Sequence, residues 1–301
     1  MYDIIGDIHG YADELEALLK KMGYEDHSGC YRHPERTAIF VGDLIDRGPK
    51  IREVLDIVRP MVESEAALIV MGNHEFNALA YHTSDPDSEG QFLREHSDKN
   101  THQHQATLDQ VGSDIQSIVD FFYTMPLWLE LPNLRVVHAC WDPQSIACLD
   151  QELTDRRLNQ ELLIEASRDG SPTFKAVETV LKGKEWSLGQ ASFKDKDGNE
   201  RHEARVRWYL PYEGQPISEY CFPVGVELPS GSFEPETQEP GYHADEKPVF
   251  FGHYWLRASS PQLEASNVCC LDYSVAKKGF LCAYRIDEAE TRLSESNFIW
   301  V

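Results

Sequence analysis

Three stretches of the chain share one punctuation: Ile4-Ile5-Gly6-Asp7-Ile8-His9-Gly10, Phe40-Val41-Gly42-Asp43-Leu44-Ile45-Asp46-Arg47-Gly48 and Val70-Met71-Gly72-Asn73-His74-Glu75. In each, a short apolar run meets a glycine and then a side chain able to bind a metal ion. Reading outward, residues 2–5, 37–41 and 67–71 are expected as strands. Residues 12–22 are expected as a helix with Leu15, Leu18, Leu19 and Met22 on one face. Residues 49–62 are expected as another, with Pro49 in the favoured first turn, and 75–81 begin a third. This rhythm of strand and helix predicts an α/β fold with crossover units around a substantially parallel sheet. Sites in such sheets form outside the carboxyl ends of the strands. If the three strands are parallel neighbours, Asp7, His9, Asp43 and Asn73 converge on one edge.

Two later strands end in histidines. Residues 134–139 carry Val136-Val137-His138, and residues 249–253 read Val249-Phe250-Phe251-Gly252-His253. The candidates total three oxygen donors and three imidazoles. That mixture suits two divalent cations of the Mn, Fe or Zn type better than Ca or Mg alone, and a carboxylate such as Asp43 could bridge them. A single Gly-Asp pair is a common turn without chemistry. Four specified residues in a row, however, are expected by chance in a chain of this length with odds of only about 0.002. Three such turns in order, each after an apolar strand, argue against coincidence.

The rest of the chain is less periodic. Residues 83–110 are polar and read as an excursion from the sheet, with His102-Gln103-His104 as surface histidines. A helix is expected over 114–123, and 150–182 read as mostly helical. Residues 184–247, rich in Gly, Pro and charge, read as a cap or insertion within a single domain spanning 1–301. Strands expected at 249–251, 268–271 and 280–286 would form a second sheet. In the irregular middle, Lys182, Lys184, Lys194, Lys196, Arg201, Arg205 and Arg207 read as a solvated hairpin; the sharper alternative is a second phosphate contact from Arg205 or Arg207. Residues 226–246 hold six acids and no Lys or Arg, which does not suit a phosphate pocket.

Composition narrows the function classes. The chain has 301 residues, 41% hydrophobic and 26% charged, as globular proteins do. No apolar run approaches the roughly 18 residues that span a bilayer. A formal charge of −23 excludes bulk electrostatic binding of nucleic acid polymers and disfavours anionic membranes. Seven cysteines without a CxxC pair do not make a disulfide framework. With a strand at the first residues and no leader pattern, the expected location is the cytoplasm.

The three turns, with Val137-His138-Ala139 and Gly252-His253, resemble the signature blocks of the calcineurin-like metallophosphoesterases. They are most similar to the phosphoprotein phosphatase branch, which includes bacterial diadenosine tetraphosphatases and serine/threonine phosphatases. The resemblance covers about 1–140 and the region near 253. It implies a four-layer α/β/β/α sandwich with a dinuclear centre. Asp7 and His9 would bind the first metal, Asp43 would bridge, and Asn73, His138 and His253 would bind the second. Arg47 and Asn73 would touch the substrate phosphate, and His74, paired with Asp46, would be the catalytic acid. Many broader relatives carry a second histidine at the position of Trp255; its replacement again points to the phosphoprotein-phosphatase-like branch. The longer C-terminal signatures of the eukaryotic enzymes are not apparent.

The expected activity is hydrolysis of phosphate esters, the serine/threonine-type protein phosphatase reaction among them, with two divalent ions, best Mn²⁺, supplying a hydroxide at neutral pH. The alternative is a bis(5'-nucleosyl)-tetraphosphatase, a diadenosine tetraphosphate hydrolase, using the same centre. The expected partner is thus a phosphoprotein, a small phosphoester or a dinucleoside polyphosphate. A non-catalytic phosphate-binding module is disfavoured, because every candidate ligand, Asp46 and His74 are all present.

Overall fold

The computed structural model describes residues 1–189, 191–194, 200–222, 228, 240–287, 290 and 292–301. They form two compact units, Met1–Lys182 with Lys247–Val301, and Gly183–Glu246.

In the larger unit, five strands make one sheet in the order Phe298–Trp300, Cys282–Ile286, Tyr2–Ile5, Thr37–Phe40, Ala67–Ile69. Tyr2–Ile5, Thr37–Phe40 and Ala67–Ile69 run parallel, with Ile4 opposite Ile39 and Ile39 opposite Leu68. Their carboxyl ends therefore lie side by side. A second sheet has the order Val268–Cys270, Val249–Phe251, Arg135–Val137, Trp128–Glu130, the first three parallel and the last antiparallel. The expectation that 280–286 joins this second sheet is corrected: Cys282–Ile286 pairs antiparallel with Tyr2–Ile5, Ile4 facing Tyr284. A charge requirement accompanies that register. Asp3 is fully buried, and the pairing sets it opposite Arg285, whose Nε lies 2.9 Å from Asp3 Oδ1, while Arg36 Nε reaches the same oxygen at 2.8 Å. A buried carboxylate is tolerated only when paired in this way.

The facing sides of the two sheets share one apolar core. Ile4, Ile39, Val41 and Val70 come from the first sheet and its strand ends, and Val136, Phe250, Cys269 and Leu271 from the second. Helices complete the α/β/β/α sandwich. α1 (Ala12–Met22) buries Leu15, Leu18, Leu19 and Met22, as its periodicity requires. α2 spans Ile51–Glu63, so Pro49 lies before the helix and not in its first turn. The start is fixed from outside, because the Ile51 N–H donates to Gln110 Oε1 at 2.6 Å. α3 (Asn73–His82) begins at Asn73 itself.

The polar stretch 83–110, read as an excursion, contains the helix α4 (Asp98–Val111), capped by Ser97. Its buried residues are His104, Thr107 and Val111. They have helical spacing, but two are polar, so the buried face leaves no hydrophobic periodicity to detect. α5 (Ile115–Phe122), α6 (Pro143–Asp150), α7 (Gln160–Ala166) and α8 (Pro172–Lys182) follow. No helix among the described residues is long and apolar enough to cross a membrane.

The smaller unit pairs Glu185–Ser187 with Glu203–Arg205 and Phe193–Lys194 with Glu200–Arg201. Its core gathers Leu188, Phe193, Ala204, Val206, Ile217 and Tyr220. Within this unit Arg205 Nε lies 3.3 Å from Glu185 Oε1, and the Arg207 guanidinium lies 5.4 Å from the Phe222 ring centroid. Lys196 and most of the acidic stretch 226–246 fall outside the described residues.

Candidate metal centre

The three parallel strands deliver their turns to one edge, and backbone hydrogen bonds bind those turns together. The His9 N–H donates to Asp43 O at 2.8 Å, and the His74 N–H to Asp43 Oδ1 at 3.0 Å. Glu75, fully buried, accepts from the Asp43, Leu44 and Gly72 N–H groups at 2.8, 2.8 and 3.0 Å. One carboxylate thus stitches the second turn to the third. Burial and the neighbouring Asp43 push its pKa up to about 7.

Two glycines show how closely these segments approach. A Cβ on Gly72 would lie 2.4 Å from Asp43 Oδ1, and a Cβ on Gly252 would lie 1.9 Å from Asp7 Oδ1. No other residue fits either place without moving a candidate ligand. Six side-chain-bearing residues of the site, His9, Asp43, Asp46, Arg47, His253 and Trp255, have positive φ between 48° and 75°. Such backbone is uncommon outside glycine and concentrates at functional sites.

Asp7, His9, Asp43, His138 and His253 are brought together, all nearly inaccessible, with Asn73 beside them. The tightest donor groups are His9, Asp43 and His74, and Asp43, His138 and His253, each within 4.8 Å; Asp43 belongs to both. His9 Nδ1–H donates to Ile45 O at 2.9 Å, which leaves Nε2 facing Asp43 Oδ2 at 3.5 Å. His138 Nδ1–H donates to Val41 O at 2.7 Å, which leaves Nε2 3.5 Å from Asp43 Oδ1. Backbone carbonyls orient metal-binding histidines in this manner. His253 Nδ1 lies 2.7 Å and His138 Nε2 3.1 Å from Asn73 Oδ1. Asp7 Oδ2 accepts the His253 N–H at 3.0 Å.

Asp7 Oδ1 and His9 Nε2 are buried without a hydrogen-bond partner. A buried lone pair left so is costly unless a cation takes it. Burial, Asp272 and Asp43 raise the pKa of Asp7, and burial pushes that of Asp272 up to about 6. Burial lowers His9 to about 3, which keeps its ring neutral. Orphaned donor atoms, neutral imidazoles and crowded carboxylates fit a pair of divalent cations, with nitrogen and oxygen ligands.

His74 behaves differently. Its Nδ1–H donates to Asp46 Oδ2 at 2.5 Å, while Nε2 lies 3.3 Å from the Arg47 guanidinium and 4.0 Å from Asp43 Oδ2. Burial disfavours charge on His74, but Asp43 and Asp46 outweigh it and raise its pKa. Asp46 is buried too, yet hydrogen bonds from His104 and His74 hold it far below the usual carboxylate range. Arg47 is exposed, its guanidinium 4.4 Å from the Trp255 ring centroid. Trp255 also stacks on His9 at 5.4 Å, so the residue in place of a second histidine buttresses the cluster.

One expectation is corrected here. Of the pair read as surface histidines, His102 is exposed, but His104 is buried. Its Nδ1 donates to Asp46 Oδ1 at 2.8 Å, and Thr107 Oγ1 donates to the same oxygen at 2.6 Å. The available signal was the i, i+3 spacing of His104 and Thr107 in a polar segment, which hydrophobic patterning ignores.

This fold and site define a metal-dependent phosphoric ester hydrolase. The chain belongs to the calcineurin-like phosphoesterase family, whose model matches residues 2–187. It is 30% identical over 272 residues to a symmetrical bis(5'-nucleosyl)-tetraphosphatase of Vibrio cholerae, covering 83% of each chain. It is 53% identical over 74 residues to an asymmetrical bis(5'-nucleosyl)-tetraphosphatase of Halalkalibacterium halodurans; that match spans 24% of this chain and 30% of the relative. Among solved structures, a cold-active protein tyrosine phosphatase shares the fold with a TM-score of 0.52 and 18% identity, covering 94% of this chain and 73% of that one.

Proposed function

We propose that the chain hydrolyses phosphate esters with two divalent ions, Mn²⁺ the best of them, held by Asp7, His9, Asp43, Asn73, His138 and His253. The observation that carries this reading is Asp43, a buried carboxylate shared by both donor groups. When bound, the two ions would take up phosphate charge and activate the attacking water. Arg47 offers a planar fork of donors to the phosphate oxygens, and Asn73 binds beside it. His74 is the general acid. Asp46 fixes its ring through Nδ1 and favours its charged form; Nε2, which accepts from Arg47 in this geometry, is the nitrogen that would take up and deliver the proton.

The names of the two relatives favour a more specific substrate, a dinucleoside polyphosphate. Residues 184–247 are proposed as a cap or insertion within the domain, a reading that the compact unit Gly183–Glu246 supports. All seven cysteines are free, which supports a reducing compartment such as the cytoplasm. Turnover of p-nitrophenyl phosphate, a phosphopeptide and diadenosine tetraphosphate, each before and after chelation and Mn²⁺ addition, tests the proposal. Activity on at least one substrate, abolished by chelation and restored best by Mn²⁺, is expected. Undiminished turnover in protein shown to be metal-free by elemental analysis rejects it. The substrate with the highest kcat/KM decides between ester and polyphosphate.

A further inference from the structure

Asp46 carries more than the His74 ring. Oδ2 accepts from His74 Nδ1, while Oδ1 accepts from His104 Nδ1 at 2.8 Å and from Thr107 Oγ1 at 2.6 Å. The Asp46 N–H in turn donates to Thr107 Oγ1 at 3.0 Å. Both oxygens of a carboxylate that is 2% exposed are therefore engaged, and the two donors on Oδ1 come from the same face of α4. His104 has its own support. Its Nε2 lies 3.2 Å from His82 Nε2 at the end of α3.

We infer that His104 is a positioning residue for the hydrolysis, acting through Asp46 on His74. A carboxylate can rotate about its last bond. Held only by His74, Asp46 would follow the ring instead of fixing it. The N–H of His104, opposed across the carboxylate, removes that freedom and aims Oδ2 at His74 Nδ1. The protonation states are consistent around the chain. With Nδ1–H given to Asp46, His104 can offer Nε2 to His82 Nε2–H across the 3.2 Å between the two nitrogens. Burial, with His104 and His96 close by, lowers the pKa of His82 to about 4, so at neutral pH it adds no charge that would compete with His74 for Asp46. Engaged by His104 and Thr107 on Oδ1, Asp46 presents Oδ2 to His74 Nδ1 in one orientation. Burial of this kind makes the arrangement stiff, because a hydrogen bond lost here leaves an unpaired polar atom out of reach of water.

The inference rests on reading His74 as the general acid, and the test separates the two. The amide nitrogen of asparagine can stand close to where His104 Nδ1 stands, while that of glutamine stands further out, where Nε2 is. His104→Leu removes the donor altogether. With metal content unchanged, His104→Leu is expected to lower kcat on phosphoserine about tenfold to hundredfold, a part of what general acid catalysis contributes. KM should stay near the wild-type value and the loss on p-nitrophenyl phosphate should be smaller. His104→Asn should recover most of the activity and His104→Gln should not. In the double variant, His104→Leu should add nothing to the loss caused by His74→Asn, since a residue that works through His74 has nothing left to position. Losses that multiply in the double variant overturn the inference while leaving the role of His74 intact. Equal losses on both substrates in His74→Asn alone overturn the general-acid reading, while coupling in the double variant still upholds His104 as the residue that positions His74. Should His104→Leu fail to fold, the two amide variants decide: equal activities of His104→Asn and His104→Gln overturn the inference.

Discussion

At the scale of single residues, the site divides its carboxylates by environment. Asp43 has three histidines around it, His9 and His138 with Nε2 at 3.5 Å and His74 at 4.0 Å, and it stays ionised. As the one donor common to both groups, it should matter to both metals. Asp43→Asn is therefore expected to lower bound metal at both positions, whereas loss of His9 should chiefly affect one; elemental analysis with titration of the two sites measures this. Two metals per chain at wild-type affinity in Asp43→Asn would show that it does not bridge. Asn73 and His74 are consecutive but face different neighbours, one bonded to His138 and His253, the other to Asp46. A general acid matters most for a poor leaving group. His74→Asn should keep its metals and lose about 10²–10⁴-fold in activity toward phosphoserine, with a smaller loss toward p-nitrophenyl phosphate. Equal losses with metals retained would assign His74 to phosphate or water positioning instead.

At the scale of elements, legibility followed chemistry that is local in sequence. The strands at 2–5, 37–41 and 67–71 and the α1 helix could be read because apolar residues mark their buried faces and glycines mark their ends. The six candidate ligands stood out because each closely follows an apolar strand, a pattern local in sequence. α4 could not be read, since its inward face is His104 and Thr107, and its partner is a carboxylate and not the apolar core. The destination of 280–286 was also hidden. Its apolar pattern fits either sheet, and pairing with Tyr2–Ile5 depends on an ion pair between Asp3 and Arg285, residues 282 positions apart. The seam between α3 and α4 has its own consequence for stability. His82 has an ordinary value of 6.5 and is lowered to about 4 in the fold, first by burial. The unfolded chain therefore takes up a proton below about pH 6.5 that the folded one refuses. The contribution is present above that pH and is lost as pH falls toward 4. The melting temperature of wild-type protein should drop more between pH 7 and pH 5 than that of His82→Asn; parallel curves would show that His82 does not report on this seam.

At the scale of the whole molecule, the formal charge of −23 makes an anionic substrate an unfavourable guest. The larger unit adds to this by burying Asp7, Asp43, Asp46, Asp272 and Glu75 around one site. Divalent cations answer both difficulties, because they offset the buried repulsion and make a positive focus inside an acidic protein. A ligand that binds only the folded state stabilises it by mass action. Chelation should therefore lower the melting temperature by several degrees at pH 7, and Mn²⁺ should restore it in a concentration-dependent way. A melting temperature indifferent to both, in calorimetry, would mean that the cluster is stable without cations.

The His253 N–H donates to Asp7, 246 residues earlier, and the strand that carries His253 is flanked by Arg135–Val137 and Val268–Cys270. The candidate centre is thus completed only once residue 253 has been made, 246 residues after Asp7. During synthesis the nascent chain must carry Asp7, His9, Asp43, Asn73 and His138 for more than a hundred residues before their last companion leaves the ribosome. An ion held by both Asp7 and His253 would therefore report that turns 246 residues apart have met.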